Sequence, residues 1–437
     1  MRTQIQLFRG DVFYFLLSPK AGWKNYRYIP DGALVVHQKR IVDVGPFNEM
    51  KKRYGESAEV IDYTGRLIMP GLIDAHIHYP QSEVLGMYGC RLLDWLEGYT
   101  FPAEQEFVFP EQAEKTARFF VSELFRNGTT ACMAYSTVHA CSASALFSVA
   151  SEWDMCLLTG KVLMDRNAPD GLTDTADTGI DDSRKLIEEW HNKGRNRYVI
   201  TPRFAITSSP EQLLKAGALH KEYPDTYIQT HLSENKEEIA STLDLFPDCS
   251  DYLEVYERAG LVADHTVFGH CIHLSPSELE RVAQAGSIIA HCPTSNLFLG
   301  SGLFDMHQAD RTNVYNVLAT DVGGGTSFSM WRTMGEAYKV QQLNGYSVSA
   351  LELLYKCTLG TAIALQIDHE TGTFEKDRFA DFIVLDDAAT PAQQLRKEYL
   401  MRNDKWTLEN KLFGLQITGD DRNIAATYVA GNKVYEK

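Results

Sequence analysis

A pair of histidines at the end of an apolar run is the feature of this sequence best suited to chemistry. His76 and His78 are separated by one residue and follow the run RLIMPGLIDA at 66–75. Side chains alternate along a β-strand, so both imidazoles would point to the same side. Imidazole nitrogens bind zinc and similar ions at about 2.0–2.1 Å, and such a pair can begin a mononuclear metal site. Taken alone, the pair is more often two ordinary surface or core histidines.

Further ligand-type residues follow later apolar runs. His231 lies in the segment THLSEN at 230–235, and Asp321 follows Thr320 shortly before three glycines. Three protein ligands and an open position define a catalytic metal site, where the pKa of bound water falls to about 7. We therefore predict that His76, His78, His231 and Asp321 bind the metal, and that Asp321 also acts as a base. Each residue alone has a simpler explanation, because an Asp before glycines is usually a turn former.

Two more residues could carry protons in the same site. Glu234 follows His231 by three positions, and His270 ends the apolar run at 266–270. A carboxylate above the metal can move a proton from the attacking water to a leaving nitrogen. An imidazole could hydrogen-bond the resulting hydroxide and orient it. We predict Glu234, Asp321 and His270 as catalytic residues. With Arg203, polar residues suited to chemistry lie at five predicted strand ends, and this coincidence favours one metal site.

The elements that must position these residues alternate between strands and helices. Eight short apolar, β-branched runs are candidate strands, at 72–78, 129–136, 156–164, 198–205, 227–232, 266–274, 287–292 and 314–321. Helix-like segments between them include 111–127, 183–193, 211–223, 250–259 and 275–285. This alternation predicts an α/β fold, a (β/α)8 TIM-like barrel, whose chemistry lies at the C-terminal strand ends. The predicted site residues lie at those ends.

The regions outside the barrel have a different pattern. Short alternating runs and turn signals at both chain ends read as strands and hairpins, which predicts a small β-sandwich domain formed from both termini. The expected boundaries are 1–70 and 371–437 for the two parts of this domain and 71–370 for the barrel. The aromatic and acidic stretch 79–107 would form a lid over the barrel mouth.

Composition narrows the class of ligand. The chain has 437 residues, 44% of them hydrophobic, and a net charge of −16. Such an acidic chain is a poor partner for nucleic-acid phosphates or anionic lipid, so we expect no nucleic acid and no membrane, and a small neutral or modestly charged ligand. No apolar run reaches 18 residues and the first residues lack a secretory pattern, so a cytoplasmic location is expected. The eight cysteines include no Cys-x-x-Cys pair and are expected as reduced thiols.

Several blocks carry a resemblance to a known family. The histidine run PGLIDAHIH at 70–78, His231, His270 and the pair Thr320-Asp321 resemble the amidohydrolase superfamily. Within it the chain resembles the guanine deaminase family, from about residue 60 to near its C-terminus. The supporting blocks are HYPQ at 78–81, LLDWL at 92–96, YTFPAE at 99–104, DRNAP at 165–169, TPRFA at 201–205, THLSEN at 230–235, HCPTSNL at 291–297 and GSGLF at 300–304.

This resemblance implies hydrolytic removal of the 2-amino group of guanine, giving xanthine and ammonia. It implies one Zn²⁺ per chain, because the end of strand four reads TPRF at 201–204 and lacks the lysine that bridges two metals in binuclear members. It also implies a homodimer. The residues expected to contact the purine are Gln81, Arg203, Phe204, His231, Glu234 and Asp321. Guanine offers acceptors at O6 and N7 that suit an arginine fork, and a flat ring that suits an aromatic face.

Two alternatives remain open at this point. A sister deaminase or chlorohydrolase that acts on another purine, a pterin or a triazine would keep the metal ligands and change the ring-holding residues. A catalytically silent relative that serves as a scaffold would be expected to have lost ligands, whereas all are present here. The other guanine deaminase lineage, with the cytidine-deaminase fold, combines a His-x-Glu motif with a Pro-Cys-x-x-Cys motif, and this sequence contains no Pro-Cys-x-x-Cys.

Overall fold

The computed structural model describes residues 4–17, 22–55, 58–88 and 92–437. It contains two β-sheets, and helices surround the larger one. The strands are β1 Ile5–Phe15, β2 Tyr26–His37, β3 Arg40–Pro46, β4 Glu59–Pro70, β5 Leu72–His78, β6 Thr129–Tyr135, β7 Cys156–Gly160, β8 Val162–Leu163, β9 Asn196–Pro202, β10 Tyr227–Leu232, β11 Thr266–His270, β12 Ile288–His291, β13 Tyr315–Leu318, β14 Phe382–Leu385, β15 Ile424–Val429 and β16 Asn432–Glu436. The helices are α1 Phe47–Tyr54, α2 Leu92–Trp95, α3 Phe101–Gln105, α4 Pro110–Arg126, α5 Ala140–Glu152, α6 Ala176–Trp190, α7 Pro210–Glu222, α8 Lys236–Leu245, α9 Tyr252–Ala259, α10 Pro276–Gln284, α11 Pro293–Phe298, α12 Met306–Arg311, α13 Met330–Leu343, α14 Ala350–Tyr355, α15 Leu359–Ala364, α16 Pro391–Arg402 and α17 Leu408–Thr418.

The larger sheet is a parallel barrel. Its strands run in the order β5, β6, β7, β9, β10, β11, β12, β13, and the short β8 pairs with β9. The ring closes where the backbone amide of Asp321 donates to the carbonyl of His76 at 2.9 Å and the amide of His78 donates to the carbonyl of Val322 at 2.8 Å. All seven residues of β5 are buried, as expected for a parallel strand covered on both faces. The predicted TIM-like barrel is confirmed.

Serine N-caps mark the starts of two barrel helices. The hydroxyl of Ser209 accepts from the amide of Gln212 at the start of α7, and Ser275 forms a capping box with Glu278 at the start of α10. The helices outside the segments predicted from the sequence include α5 and α8. The small residues of α5 leave no clear polar face to show a helical period, and the short α8 starts from Asn235 with few apolar residues. None of the described helices combines the length and apolar character needed to cross a membrane.

The smaller sheet combines both ends of the chain. Its seven strands run in the order β16, β15, β14, β4, β1, β2, β3, with β4 and β14 antiparallel where the two ends meet. The predicted small β domain built from both termini is confirmed, while the residue boundaries given above stay a prediction. The expectation that the C-terminal part holds only strands and hairpins is wrong, since α16 and α17 interrupt it. Capping by Thr390 and Thr407, with Pro391 at the first helical position, explains why these helices start there.

The stretch predicted to be a lid folds into short helical turns beside the barrel mouth. A 3-10 turn Tyr79–Val84 leaves β5, and α2 leads through a π-helical turn Leu96–Thr100 into α3. Apolar side chains of this segment, among them Trp95 and Phe101, pack in one buried cluster with Phe204 of the barrel. Residues 89–91 of the predicted lid lie outside the described part of the chain.

Candidate active site

Four predicted metal ligands converge at the C-terminal end of the barrel. His76 and His78 come from β5, His231 from β10, and Asp321 from the segment after β13. Each offers a ligand atom, and these atoms all lie within 4.8 Å of one another. The Asp321 Oδ1 lies 3.3 Å from the Nε2 of both His76 and His78, and the Nε2 atoms of His78 and His231 are 3.3 Å apart. Four atoms about 2.0–2.1 Å from a common centre in a tetrahedron are about 3.3–3.4 Å apart, so this donor set fits one metal ion.

The protonation states of these groups also suit a metal. The Nδ1 of His231 donates to the carbonyl of Arg203 at 2.7 Å, which leaves its Nε2 with a free lone pair. Burial lowers the pKa of His78 to about 3 and lowers that of His231 well below its usual value, so both rings are neutral. Burial opposes ionisation of Asp321, yet the adjacent imidazoles of His76 and His78 hold its pKa well below the usual range. The cluster therefore offers neutral imidazoles at His78 and His231 and a carboxylate at Asp321.

His76 gives a further sign of a missing partner. Its side chain is fully buried, and neither ring nitrogen has a hydrogen-bond partner among the described residues. Buried polar atoms are almost always satisfied, because a lost hydrogen bond in a protein interior costs about 1–3 kcal/mol. A cation held by the Nε2 would give that buried nitrogen a partner. This observation, with the spacing of the four donors, shows that the residues present fit a bound metal.

The backbone is strained where the site residues leave their strands. His270 has a φ of 69° and Asp321 a φ of 53°, values that L-residues rarely adopt, and Ser233 beside Glu234 has a φ of 50°. Such outliers cluster at functional sites, where the surrounding structure holds them. Here they turn the chain so that the side chains after the strand ends face the barrel axis.

Glu234 and His270 lie next to the metal cluster, as predicted. The Nε2 of His270 is 3.5 Å from the Glu234 Oε2 and 3.7 Å from the Asp321 Oδ2. The hydroxyl of Ser301 donates to the Glu234 Oε1 at 3.0 Å. Burial and the nearby Asp321 carboxylate raise the pKa of Glu234 to about 8. A carboxyl group with a pKa near neutrality can both accept and return a proton at physiological pH.

A cavity lies beside this cluster. Its lining includes Gln81, Arg203 and Phe204, the three predicted purine contacts outside the metal cluster and the proton route, together with the metal-cluster residues His78, His231 and Asp321. The remaining lining residues are Leu92, Trp95, Leu96, Glu234, Glu238, His270, Leu299 and Gly324. Apolar walls with a few convergent polar groups are typical of sites for flat heterocycles. The structure thus brings every sequence-predicted site residue to one place.

Sequence reasoning gave no role to four buried residues that support the site. Asp74 accepts from the amide of Thr320 at 3.1 Å and so joins β5 to the segment that carries Asp321. The Oδ1 of Asn296 accepts from the Nδ1 of His270 at 2.9 Å. Glu104 and Ser301 contact Arg203 and Glu234, respectively. Glu104, Asn296 and Ser301 lie in blocks on which the family resemblance rests, but a partner far away in sequence has no local signal.

Comparison with known proteins agrees with this site. A model of the amidohydrolase family matches residues 67–434. The guanine deaminase of Escherichia coli (strain K12) is 48% identical over 427 residues, which cover 98% of this chain and 96% of that protein. Its solved structure has a TM-score of 0.95, with 46% identity, and the match covers 99% of this chain and 100% of that chain. A crystal structure of guanine deaminase from C. acetobutylicum with bound guanine in the active site has a TM-score of 0.87, with 30% identity and coverage of 99% and 100%. The chain therefore belongs to the amidohydrolase family and, within it, to the guanine deaminases.

Proposed function

We propose that this protein is a guanine deaminase, a hydrolase that converts guanine and water to xanthine and ammonia. The observation that carries the proposal is the cavity in which Gln81, Arg203 and Phe204 lie beside the cluster of His76, His78, His231 and Asp321. A curated guanine deaminase aligned over 98% of this chain supports the same substrate.

We propose that His76, His78, His231 and Asp321 hold one Zn²⁺ per chain. Nitrogen ligands favour zinc over calcium or magnesium, which prefer oxygen ligands. When bound, the ion supplies a Lewis acid that makes hydroxide available at neutral pH. Arg203 is in an ion pair at the end of β9, where binuclear relatives carry a bridging lysine, which supports a single ion.

The residues next to the cluster supply the proton route. Asp321 or Glu234 takes a proton from the attacking water, and the hydroxide adds to C2 of guanine. Glu234 then gives a proton to N3. The new C2 hydroxyl group gives its proton, through Asp321 or Glu234, to the exocyclic nitrogen, and the C2–N bond breaks to release ammonia and leave the C2 carbonyl of xanthine. His270, 3.5 Å from the Glu234 carboxylate, orients the nucleophile. The raised pKa of Glu234, about 8, keeps its carboxyl group able to carry a proton in either direction.

The opposite wall of the cavity recognises the ring. The guanidinium of Arg203 can donate two parallel hydrogen bonds to O6 and N7, and the phenyl ring of Phe204 offers an apolar face. Gln81 can both donate to and accept from the mixed edge of a purine. His231, Glu234 and Asp321 approach the C2 side of the ring. This division places the exocyclic amine at the cluster and the carbonyl at the arginine.

A substrate panel tests the proposal. Purified protein is mixed with guanine, adenine, a pterin and a chlorotriazine, and ammonia release is measured for each. We expect rapid release from guanine, with xanthine seen by its ultraviolet absorbance, and far slower release from the other rings. A faster reaction with a pterin or triazine, or no reaction with guanine, would contradict the assignment.

Three further proposals concern the location, the assembly state and the domain boundaries of the protein. We propose that the protein is a cytoplasmic homodimer and that its domains divide at about residues 70 and 370, as the sequence analysis predicts. Light scattering during gel filtration measures the mass directly. A value of twice 49.2 kDa supports the dimer, and a value near 49.2 kDa contradicts it.

A further inference from the structure

We propose that Glu104 is a positioning residue for substrate recognition, which holds Arg203 and Gln81 in the orientation that reads the purine. The inference rests on the proposed function, because it concerns the two side chains assigned to the ring. Glu104 is not among the lining residues of the cavity. Its carboxylate lies behind Arg203 and Gln81 and contacts both side chains.

Two hydrogen bonds define the role of this carboxylate. The Oε2 of Glu104 accepts from the Nη1 of Arg203 at 2.6 Å, and its Oε1 accepts from the Nε2 of Gln81 at 3.0 Å. The Glu104 side chain is fully buried, and Arg203 and Gln81 are 3% and 2% exposed. One carboxylate therefore bridges both recognition residues where water cannot replace it. Charge-assisted hydrogen bonds in such a setting are short and directional.

The hydrogen bond to Glu104 fixes the orientation of the Gln81 side-chain amide. A carboxylate can only accept, so Gln81 must turn its NH₂ group towards Glu104. Its Oε1 then accepts from the backbone amide of Gly323 at 3.2 Å. One N–H and one oxygen lone pair of Gln81 remain for a ligand, in a fixed arrangement. Without an acceptor at position 104, the Gly323 amide alone would hold the orientation of the Gln81 amide.

The same bridge limits the movement of Arg203. Glu104 holds one end of the guanidinium, and the ring of Phe101 lies 5.5 Å from its central carbon. The planar fork then has a fixed direction, and its remaining N–H groups are free to face a ligand. A neutral purine brings no charge to balance a buried cation, so a permanent carboxylate behind the guanidinium lowers the cost of keeping it charged.

Glu104 also connects recognition to the segment that covers the cavity. It lies in α3, whereas Gln81 lies in the turn after β5 and Arg203 follows β9. Side chains of α2, Leu92 and Trp95, line the same cavity. The carboxylate thus ties three separate parts of the chain together behind the purine site.

The variant E104Q tests the role, with E106Q as its control. Glu106 lies two residues further on, is exposed, and undergoes the same change of charge. A glutamine at 104 cannot accept from both Arg203 and Gln81, because one end of its amide is a donor. We expect KM for guanine to rise by about tenfold or more with kcat changed by less than about threefold, since binding is lost equally in ground and transition states. E106Q should match the wild type.

A second ligand separates positioning from general damage. 2-Aminopurine lacks the 6-oxo group that Arg203 would read, so its inhibition constant should rise less than the guanine KM in E104Q. Equal weakening of both ligands, or a guanine KM equal to that of E106Q, would overturn the inference. A double-mutant cycle with R203M adds an internal check: E104Q should have a clearly smaller effect in that background, and fully additive effects would contradict a role through Arg203.

The variant E104D covers the case in which E104Q does not fold. It keeps the charge but is one methylene shorter, so it cannot span both partners, and we expect an intermediate guanine KM with normal metal content. An unchanged KM in E104D would overturn the inference. The wild-type arm keeps the two claims separate: a wild type inactive on guanine contradicts the proposed function, whereas an active wild type with an unaffected E104Q contradicts only the role of Glu104.

Discussion

Single side chains in this protein acquire their chemistry from burial. Glu234 is 2% exposed and lies near Asp321, and its pKa rises to about 8. His78, also buried, and the less enclosed His231 stay neutral and keep lone pairs for a metal. The same desolvation thus acts in opposite directions on acids and bases, and both outcomes suit hydrolysis by an activated water.

The substitution E234Q separates proton transfer from metal binding. It removes the proton carrier but leaves all four predicted ligands, so we expect normal metal content and a fall in kcat of about 10² to 10⁴-fold. Metal is measured by atomic emission and turnover by xanthine absorbance. The exposed Glu237, three residues further on, provides the control E237Q. Wild-type turnover in E234Q would remove Glu234 from the proton route.

The sequence identified the residues at the metal better than those behind them. His76 and His78 share a strand, and Glu234 follows His231 closely, so their placement follows from local geometry. Glu104 and Asn296 act through contacts with residues 99 and 26 positions away in the chain, at Arg203 and His270. Only the folded chain brings those pairs together, and no periodicity in the sequence encodes them.

At the scale of elements, a glycine in the parallel barrel sheet leaves room for one of the predicted metal ligands. Gly269 in β11 pairs with His231 in β10 and lies beneath the ring of His76. A Cβ at Gly269 would be 2.6 Å from the His76 Cε1, well inside van der Waals contact. The strands could be predicted because β-branched runs mark them, whereas α16 and α17 could not, since their surroundings at the chain ends suggested only hairpins.

The substitution G269A tests this close approach. The added methyl group must displace His76, so we expect zinc affinity to fall by about 10 to 100-fold, comparable to the loss of a group that orients a ligand. Affinity is measured by competition with a chromogenic chelator. G98A is the control, because a Cβ at Gly98 would meet nothing within 4 Å. Equal zinc affinities in the two variants would show that His76 has room to move.

At the scale of the whole molecule, a buried ion-pair network fastens the barrel to the β domain. Arg195, next to the start of β9, donates to Asp381 at 3.0 and 2.6 Å and to Glu370 at 3.1 Å. Asp381 also accepts from the amide of Ala430, in the turn between β15 and β16, at 2.8 Å. The side chains of Arg195 and Asp381 are 3% and 0% exposed. These contacts lie in the region that precedes the barrel strands, at the opposite end from the metal cluster.

Removal of one charge from this network should destabilise the protein without changing its chemistry. D381N leaves the buried guanidinium of Arg195 short of a partner, which typically costs about 3–5 kcal/mol in the free energy of unfolding. Urea unfolding followed by circular dichroism measures the change, and the guanine KM should stay at its wild-type value. R184Q removes a surface partner of Glu222 and should leave the midpoint almost unchanged. A wild-type midpoint in D381N would contradict the role of the network.

The proposed deamination depends most on a single cation held by His76, His78, His231 and Asp321. The most direct test is to strip the protein with a chelator, add zinc in measured equivalents, and follow xanthine formation from guanine together with bound metal. We predict no activity in the stripped protein and full recovery at one equivalent per chain. Guanine deamination by metal-free protein, or recovery that requires two equivalents per chain, would contradict it.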